Sequence, residues 1–178
     1  MRWAYSIITA GDPTDLLPLE AAKKHLDVTF ADDDELIGDY IKSALDWVQE
    51  HTGLFLSNTI VEVYSDGLAT PYELPFGPFI AVTSMTVGGE AVVPRQVGQS
   101  GLLLPPAGSS WPYVAVSELG AVTTRYSVGF QSAVVPPVLI QAAKIVLSIF
   151  YDKPEGNELE NQWKAVRNML STSRVRNL

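Results

Sequence analysis

Residues 72–90 read "YELPFGPFIAVTSMTVGGE". The reading of this stretch decides the fold. Pro75, Gly77 and Pro78 make a stiff corner, because proline fixes its own φ and restricts the residue before it. The chain then alternates toward Gly88-Gly89 and resumes as "EAVVP". A Gly-Gly pair between two such runs predicts a β-hairpin. The corner is expected to break the chain direction and fix where the first strand of that hairpin starts.

The same grammar holds on both sides of the hairpin. "NTIVEVYSDG" alternates and ends at a turn, and "GLLLPP", "PYVAVS" and "AVTTRYSV" are short strands separated by Gly, Pro and Ser. Together these make about six short antiparallel strands over residues 55–130.

Farther out the period changes to that of helices. "LPLEAAKKHLDV" has proline in the first turn and Leu19, Ala22 and Leu26 on one face. In "TFADDDELIGDYIKSALDWVQEHTG", Leu36, Ile37, Tyr40, Ile41, Ala44, Leu45, Trp47 and Val48 follow the 3.6-residue period. The acids at 32–35 are read as caps for free N–H groups at its start, and Gly53 as its terminator. Asp39, Lys42, Asp46 and Glu50 form the opposite face, which is wet or meets another subunit.

After the strands, "VPPVLIQAAKIVLSIFYDK" opens with proline and is apolar except for a narrow stripe, Gln141, Lys144 and Ser148. Such a helix is buried on most sides, by its own core or by neighbouring subunits as well. "ELENQWKAVRNMLSTS" places Leu159, Trp163, Val166 and Leu170 on one stripe, and "RVRNL" reads as a free tail. The expected class is α+β: a bundle of two N-terminal and two C-terminal helices, at about 16–27, 33–51, 137–152 and 158–172. The β module lies between the two pairs.

Composition narrows the functions. The chain of 178 residues is 47% apolar and 18% charged, a globular composition. It has no cysteine, which removes disulfides, thiolate metal sites and a Cys nucleophile. "MRWAYSIITAGDPTD" makes a poor export signal, and no apolar run reaches the length of a membrane span. The net charge is −8, unevenly spread. Residues 1–50 hold eleven acids and four bases, whereas residues 161–178 hold Lys164, Arg167, Arg174 and Arg176 and no acid. This asymmetry fits either end-to-end contact with a partner or a solvated surface.

No catalytic constellation stands out. His25 and His51 lie near helix ends without ligand-spaced partners. Asp32-Asp33-Asp34-Glu35 lacks the alternating ligands and the glycine of a calcium loop. No nucleophile elbow, phosphate loop or dinucleotide fingerprint occurs. Twenty acids give no reason to select one pair for glycoside hydrolysis. Four bases beside a single aromatic, Trp163, are a weak nucleic-acid signal.

The order of these pieces resembles the head-to-tail connector (adaptor) proteins of long-tailed bacteriophages and prophages. The short helix, the acidic start of the long helix and the Leu-Pro-x-x-Pro before a Val-rich hairpin all correspond. So do "TTRYSVGFQSAVVPPVLIQAAKIVLSIFYDKPEG" and the closing "AVRNMLSTSRV". The sequence departs from the pattern at "KPEGNELE" and between Pro94 and Ser117. The resemblance implies a single connector domain over 1–178 and a structural virion protein, not an enzyme, with no cofactor and no metal. It implies a homo-oligomeric ring, usually a dodecamer, under the portal, in the neck of a virion assembled in the host cytoplasm. The ring joins head to tail and extends the channel through which dsDNA passes non-specifically. Its partners are the portal protein and a downstream head-completion or tail-terminator protein, with no membrane. Lys164, Arg167, Arg174 and Arg176 are then candidates for portal docking. Asp39, Lys42, Asp46, Gln141, Lys144 and Ser148 are candidates for the subunit interface. The competing expectation is a monomeric β-type module that binds carbohydrate or protein through Trp111, Tyr113 or Phe130; an enzyme acting on cell-wall sugars is a third.

Overall fold

The computed structural model describes residues 2–114, 118–130 and 135–173. The chain forms two compact units. Residues 1–11 and 57–130 build a β unit, and residues 12–56 and 131–178 a helical unit. The expected α+β class holds, with four helices and antiparallel sheets.

The β unit contains one sheet of five strands, β1 (Trp3–Thr9), β2 (Thr59–Ser65), β4 (Phe79–Val87), β5 (Glu90–Ala91) and β8 (Val122–Val128), in the order β1-β2-β8-β4-β5. A second sheet holds β3 (Tyr72–Glu73), β6 (Arg95–Gln96) and β7 (Leu102–Leu104), in the order β3-β7-β6. Every neighbouring pair is antiparallel. Along β2 and β8, buried and half-buried residues alternate without a break, as expected where a sheet has one face on a core.

Gly88 and Gly89 have φ of 59° and 86°, the left-handed pair that a tight primed hairpin turn requires, and they join β4 to β5. The proline corner ends at Pro78, and β4 starts at the next residue. Inside the corner, the Phe76 amide donates to the hydroxyl of the buried Tyr126 at 3.3 Å. The Phe76 ring packs edge-on against Trp3 and Tyr5, with centroids 5.6 and 4.6 Å apart. At the far end of β8, Gly129 has φ 113° and lies against the Ser57 carbonyl so closely that a Cβ would overlap it.

Two features of the β unit differ from the expectation. The first is β1, where no element was expected; it pairs with β2 across more than fifty residues of chain. Trp3, Tyr5 and Ile7 do alternate, but no local turn announces their partner. The second is "PYVAVS": residues 112–114 are not strand, and 115–117 lie outside the described residues.

The helical unit holds a short 3-10 turn at Thr14–Leu16, then α1 (Leu19–Leu26), α2 (Asp34–Thr52), α3 (Pro137–Asp152) and α4 (Gly156–Leu170). Ile37, Ile41, Ala44, Leu45 and Val48 of α2 face Leu139, Ala142, Ala143, Val146 and Leu147 of α3 in the core, with Val166 and Leu170 of α4. Gly53 ends α2 in the left-handed conformation, its N–H returning to the Gln49 carbonyl, as expected of a terminator.

The acidic run at the start of α2 departs from its expected capping role. Asp33 occupies the N-cap position but makes no side-chain cap bond. It accepts a 2.7 Å hydrogen bond from the Tyr151 hydroxyl on α3. Asp34 pairs with Lys23 of α1, whose side chain is largely buried. These carboxylates therefore tie α2 to two other helices, because tertiary cations and donors compete with the local N–H groups. Leu36, expected on the buried stripe, is 45% exposed.

Candidate functional site

The residues nominated by sequence fall into three sets. Asp39, Lys42 and Asp46 are exposed on α2. Lys42 Nζ lies 3.5 Å from Asp39 Oδ1, and Asp46 Oδ1 accepts from Gln49 at 3.2 Å. Exposed pairs of this kind contribute little to stability, so this face is polar and unstrained.

The α3 stripe is divided. Gln141 is exposed, whereas Lys144 and Ser148 are half-buried. Ser148 Oγ lies 3.2 Å from His25 Nε2 of α1 and donates to the Lys144 carbonyl at 3.3 Å. Ser148 therefore takes part in helix packing inside its own unit, and only Gln141 of the three is fully presented to solvent.

On α4, Lys164 and Arg167 are exposed and three residues apart, so they share one face. Arg174 and Arg176 lie outside the described residues. Trp163, beside this pair, is half-buried against Trp47 at 4.9 Å and Phe150 at 6.4 Å. It is a packing residue and not a platform for bases.

Among the described residues, no group of three or more His, Asp or Glu side chains is placed to hold a metal ion. His51 stacks on Trp47 with ring centroids 4.6 Å apart. The carboxylates with displaced titration are structural. Glu62 is held below the usual carboxylate range by the Tyr64 hydroxyl first, and by Arg125, which approaches to 2.8 Å. Asp66 is lowered chiefly by the Arg2 backbone N–H. Burial pushes the Tyr126 and Tyr72 phenols up, and the Asp33 carboxylate does the same to Tyr151.

In the β unit, an open recess of about 790 Å³ is lined by Val92, Val93, Pro106, Trp111 and Tyr113. The Trp111 indole N–H donates to the Ala69 carbonyl at 3.0 Å, and Phe130 is half-buried. Of the three aromatics suggested as a stacking surface, only Tyr113, 87% exposed, projects freely.

The sequence reading overlooks one further surface. On β1, Tyr5, Ile7 and Ile8 are 49%, 50% and 44% exposed, along a strand that borders the sheet. The alternation in "WAYSIIT" is the signal that would have marked it.

Residues 17–88 match the model of a family described as phage gp6-like head-tail connector proteins. The match covers α1, α2 and the strands from β2 through β4, including three of the segments that carry the connector resemblance. Chains in three solved assemblies share the fold. One belongs to the neck of an empty gene transfer agent (GTA) particle computed with C6 symmetry: 19% identity, 98% of this chain and 97% of that one, TM-score 0.73. The virion of a native GTA particle supplies another, at 20% identity with the same coverage and a TM-score of 0.70. The neck of a native GTA particle computed with C12 symmetry supplies the third, at 19% identity, also with the same coverage, and a TM-score of 0.69. No curated protein sequence matches the chain.

Proposed function

We propose, from the connector-family match over residues 17–88, that this chain is a structural neck protein of a phage or phage-like particle. In this reading it forms a ring under the portal, joins head to tail and extends the DNA channel. One observation carries it, the connector-family match over residues 17–88, and a fold that agrees over 98% of the chain with a neck-particle chain supports it. The C6 and C12 symmetries of those particles support a cyclic assembly, with twelve copies the favoured number.

The protein works by assembly and not by turnover. An excess of eight negative charges suits a channel wall that lets dsDNA slide, because like charge repels phosphate. Lys164 and Arg167, with Arg174 and Arg176, form a basic terminus suited to docking on the portal. Asp39, Lys42, Asp46 and Gln141 supply polar contacts between subunits; Lys144 and Ser148 act mainly within the subunit. The next tail-side protein binds the opposite rim of the ring.

Mixing the chain with its portal protein and imaging the product by negative stain tests this reading. A closed ring with a central hole on the portal is expected, and it should weaken when Lys164 and Arg167 are both changed to Glu. No association with the portal at any concentration would overturn the reading.

A further inference from the structure

Among the described residues, the five-stranded sheet has two open borders. β1 pairs with β2 on one side, and no described strand pairs with its other side. β4 pairs with β8 along its length, but on its outer side, among the described residues, β5 and the following Val92 meet only Met85, Thr86 and Val87. Ala81, Thr83 and Ser84, on the open stretch of β4, are exposed.

Natural sheets protect such borders with charge, proline or shortness. Here β1 is "WAYSIIT" and β4 is "FIAVTSMTV", seven and nine residues with no charge and no proline. Bulges interrupt both strands, at Ile7/Thr9 in β1 and at Phe79/Ala81 and Val82/Ser84 in β4. The apolar face of the sheet also runs past its border. Tyr5 lies opposite Val63 and Ile7 opposite Val61, both buried, so Tyr5 and Ile7 belong to the core face. Yet each is about half exposed. At the other border, the half-buried Val82 lies opposite the buried Tyr126 and belongs to the same face.

The strand directions fit as well. The run β1, β2, β8, β4 alternates in direction, so β1 and β4 are antiparallel to each other. Placing β4 of one copy beside β1 of the next continues the alternation. Setting Tyr5 opposite Val82 keeps both on the core face. It also brings Ser6 opposite Ala81 on the outer face, since their partners Glu62 and Ser127 lie there.

We infer that the open borders of β1 and β4 pair with each other between successive copies of this chain, so that one sheet continues into the next. The contact is head-to-tail and so can close into a ring. A two-fold β1–β1 pairing would leave the β4 border uncovered. The inference rests on the ring reading above and specifies its interface.

The absence of native cysteine makes the test direct. The full-length double variant Ser6→Cys/Ala81→Cys is assembled, with portal present, and oxidised. Opposed residues of an antiparallel pair lie within disulfide range. The expected result is a ladder of covalent oligomers on a non-reducing gel, up to the size of the ring and collapsed by reductant, with neither single variant forming it. In parallel, Ile7→Lys should keep the monomer's circular dichroism and weaken assembly tenfold or more. Rings by negative stain without a ladder would overturn the edge pairing and leave the ring reading standing. Covalent dimers from Ser6→Cys alone would overturn it in favour of a two-fold contact. The absence of both rings and ladder would overturn the two together.

Discussion

The two units handle their surfaces in opposite ways. In the helical unit, even charged groups are committed internally: Asp33 to Tyr151, Asp34 to Lys23. Its exposed α2 face is polar and paired with itself. In the β unit, one ion pair sits in the middle of the five-stranded sheet, where Glu62 and Arg125 bridge β2 and β8. β1 and β4, toward its borders, by contrast carry no charge. The helical unit thus closes its core with its own groups, although Phe30 and Leu36 stay about half exposed, whereas the β unit leaves sheet borders without a described partner strand. Mutations in the core of the first should act on stability, and mutations at its exposed charges or at the borders of the second on assembly.

The largest expected effect breaks the interior of the β unit and leaves its borders alone. Gly129→Ala forces a Cβ against the Ser57 carbonyl at a positive φ. A loss of about 4 kcal/mol in urea unfolding is expected. An effect below about 1 kcal/mol would show that β8 and the Ser57 turn can separate cheaply. Next comes the helical core. Leu147→Ala opens a cavity beneath α3 and should cost about 3 kcal/mol. If it instead spared the monomer and abolished oligomers, α3 would be an interface helix, and the contrast between the units would fail.

Smaller effects sharpen the contrast. Asp34→Asn leaves Lys23, the more buried partner, without its carboxylate and should cost about 2 kcal/mol; thermal unfolding of the variant checks it. The smallest concerns Glu62. Its folded-state pKa is depressed, so its stabilisation is complete above the ordinary value of 4.5 and disappears as pH falls through the folded value. Arg125 is well exposed, so under about 1 kcal/mol is involved. Glu62→Gln should therefore be less stable than the parent at pH 7, and the gap should narrow as pH falls from 4.5 toward 2. An unchanged gap at pH 2 would contradict the assignment.

The helices and most strands were legible because their periods are local. Ile37, Ile41, Ala44, Leu45 and Val48 declare a buried stripe, and Gly88-Gly89 declares a hairpin, without reference to the rest of the chain. What escaped is non-local. β1 depends on a partner strand far along the sequence. The acids of α2 look like caps until Lys23 and Tyr151 arrive to claim them. Ser148 looks like part of an outward stripe until His25 packs beside it. Interfaces were the least legible: an exposed stripe such as Asp39, Lys42 and Asp46 has the same pattern whether it meets water or a neighbour. The open borders show only once the strand order is known.

Native mass spectrometry of the full-length chain at low and high concentration, alone and with portal protein, tests the central claim most directly. The account predicts a single closed oligomer, a dodecamer, appearing with concentration or on the portal. A strict monomer under all four conditions would contradict it.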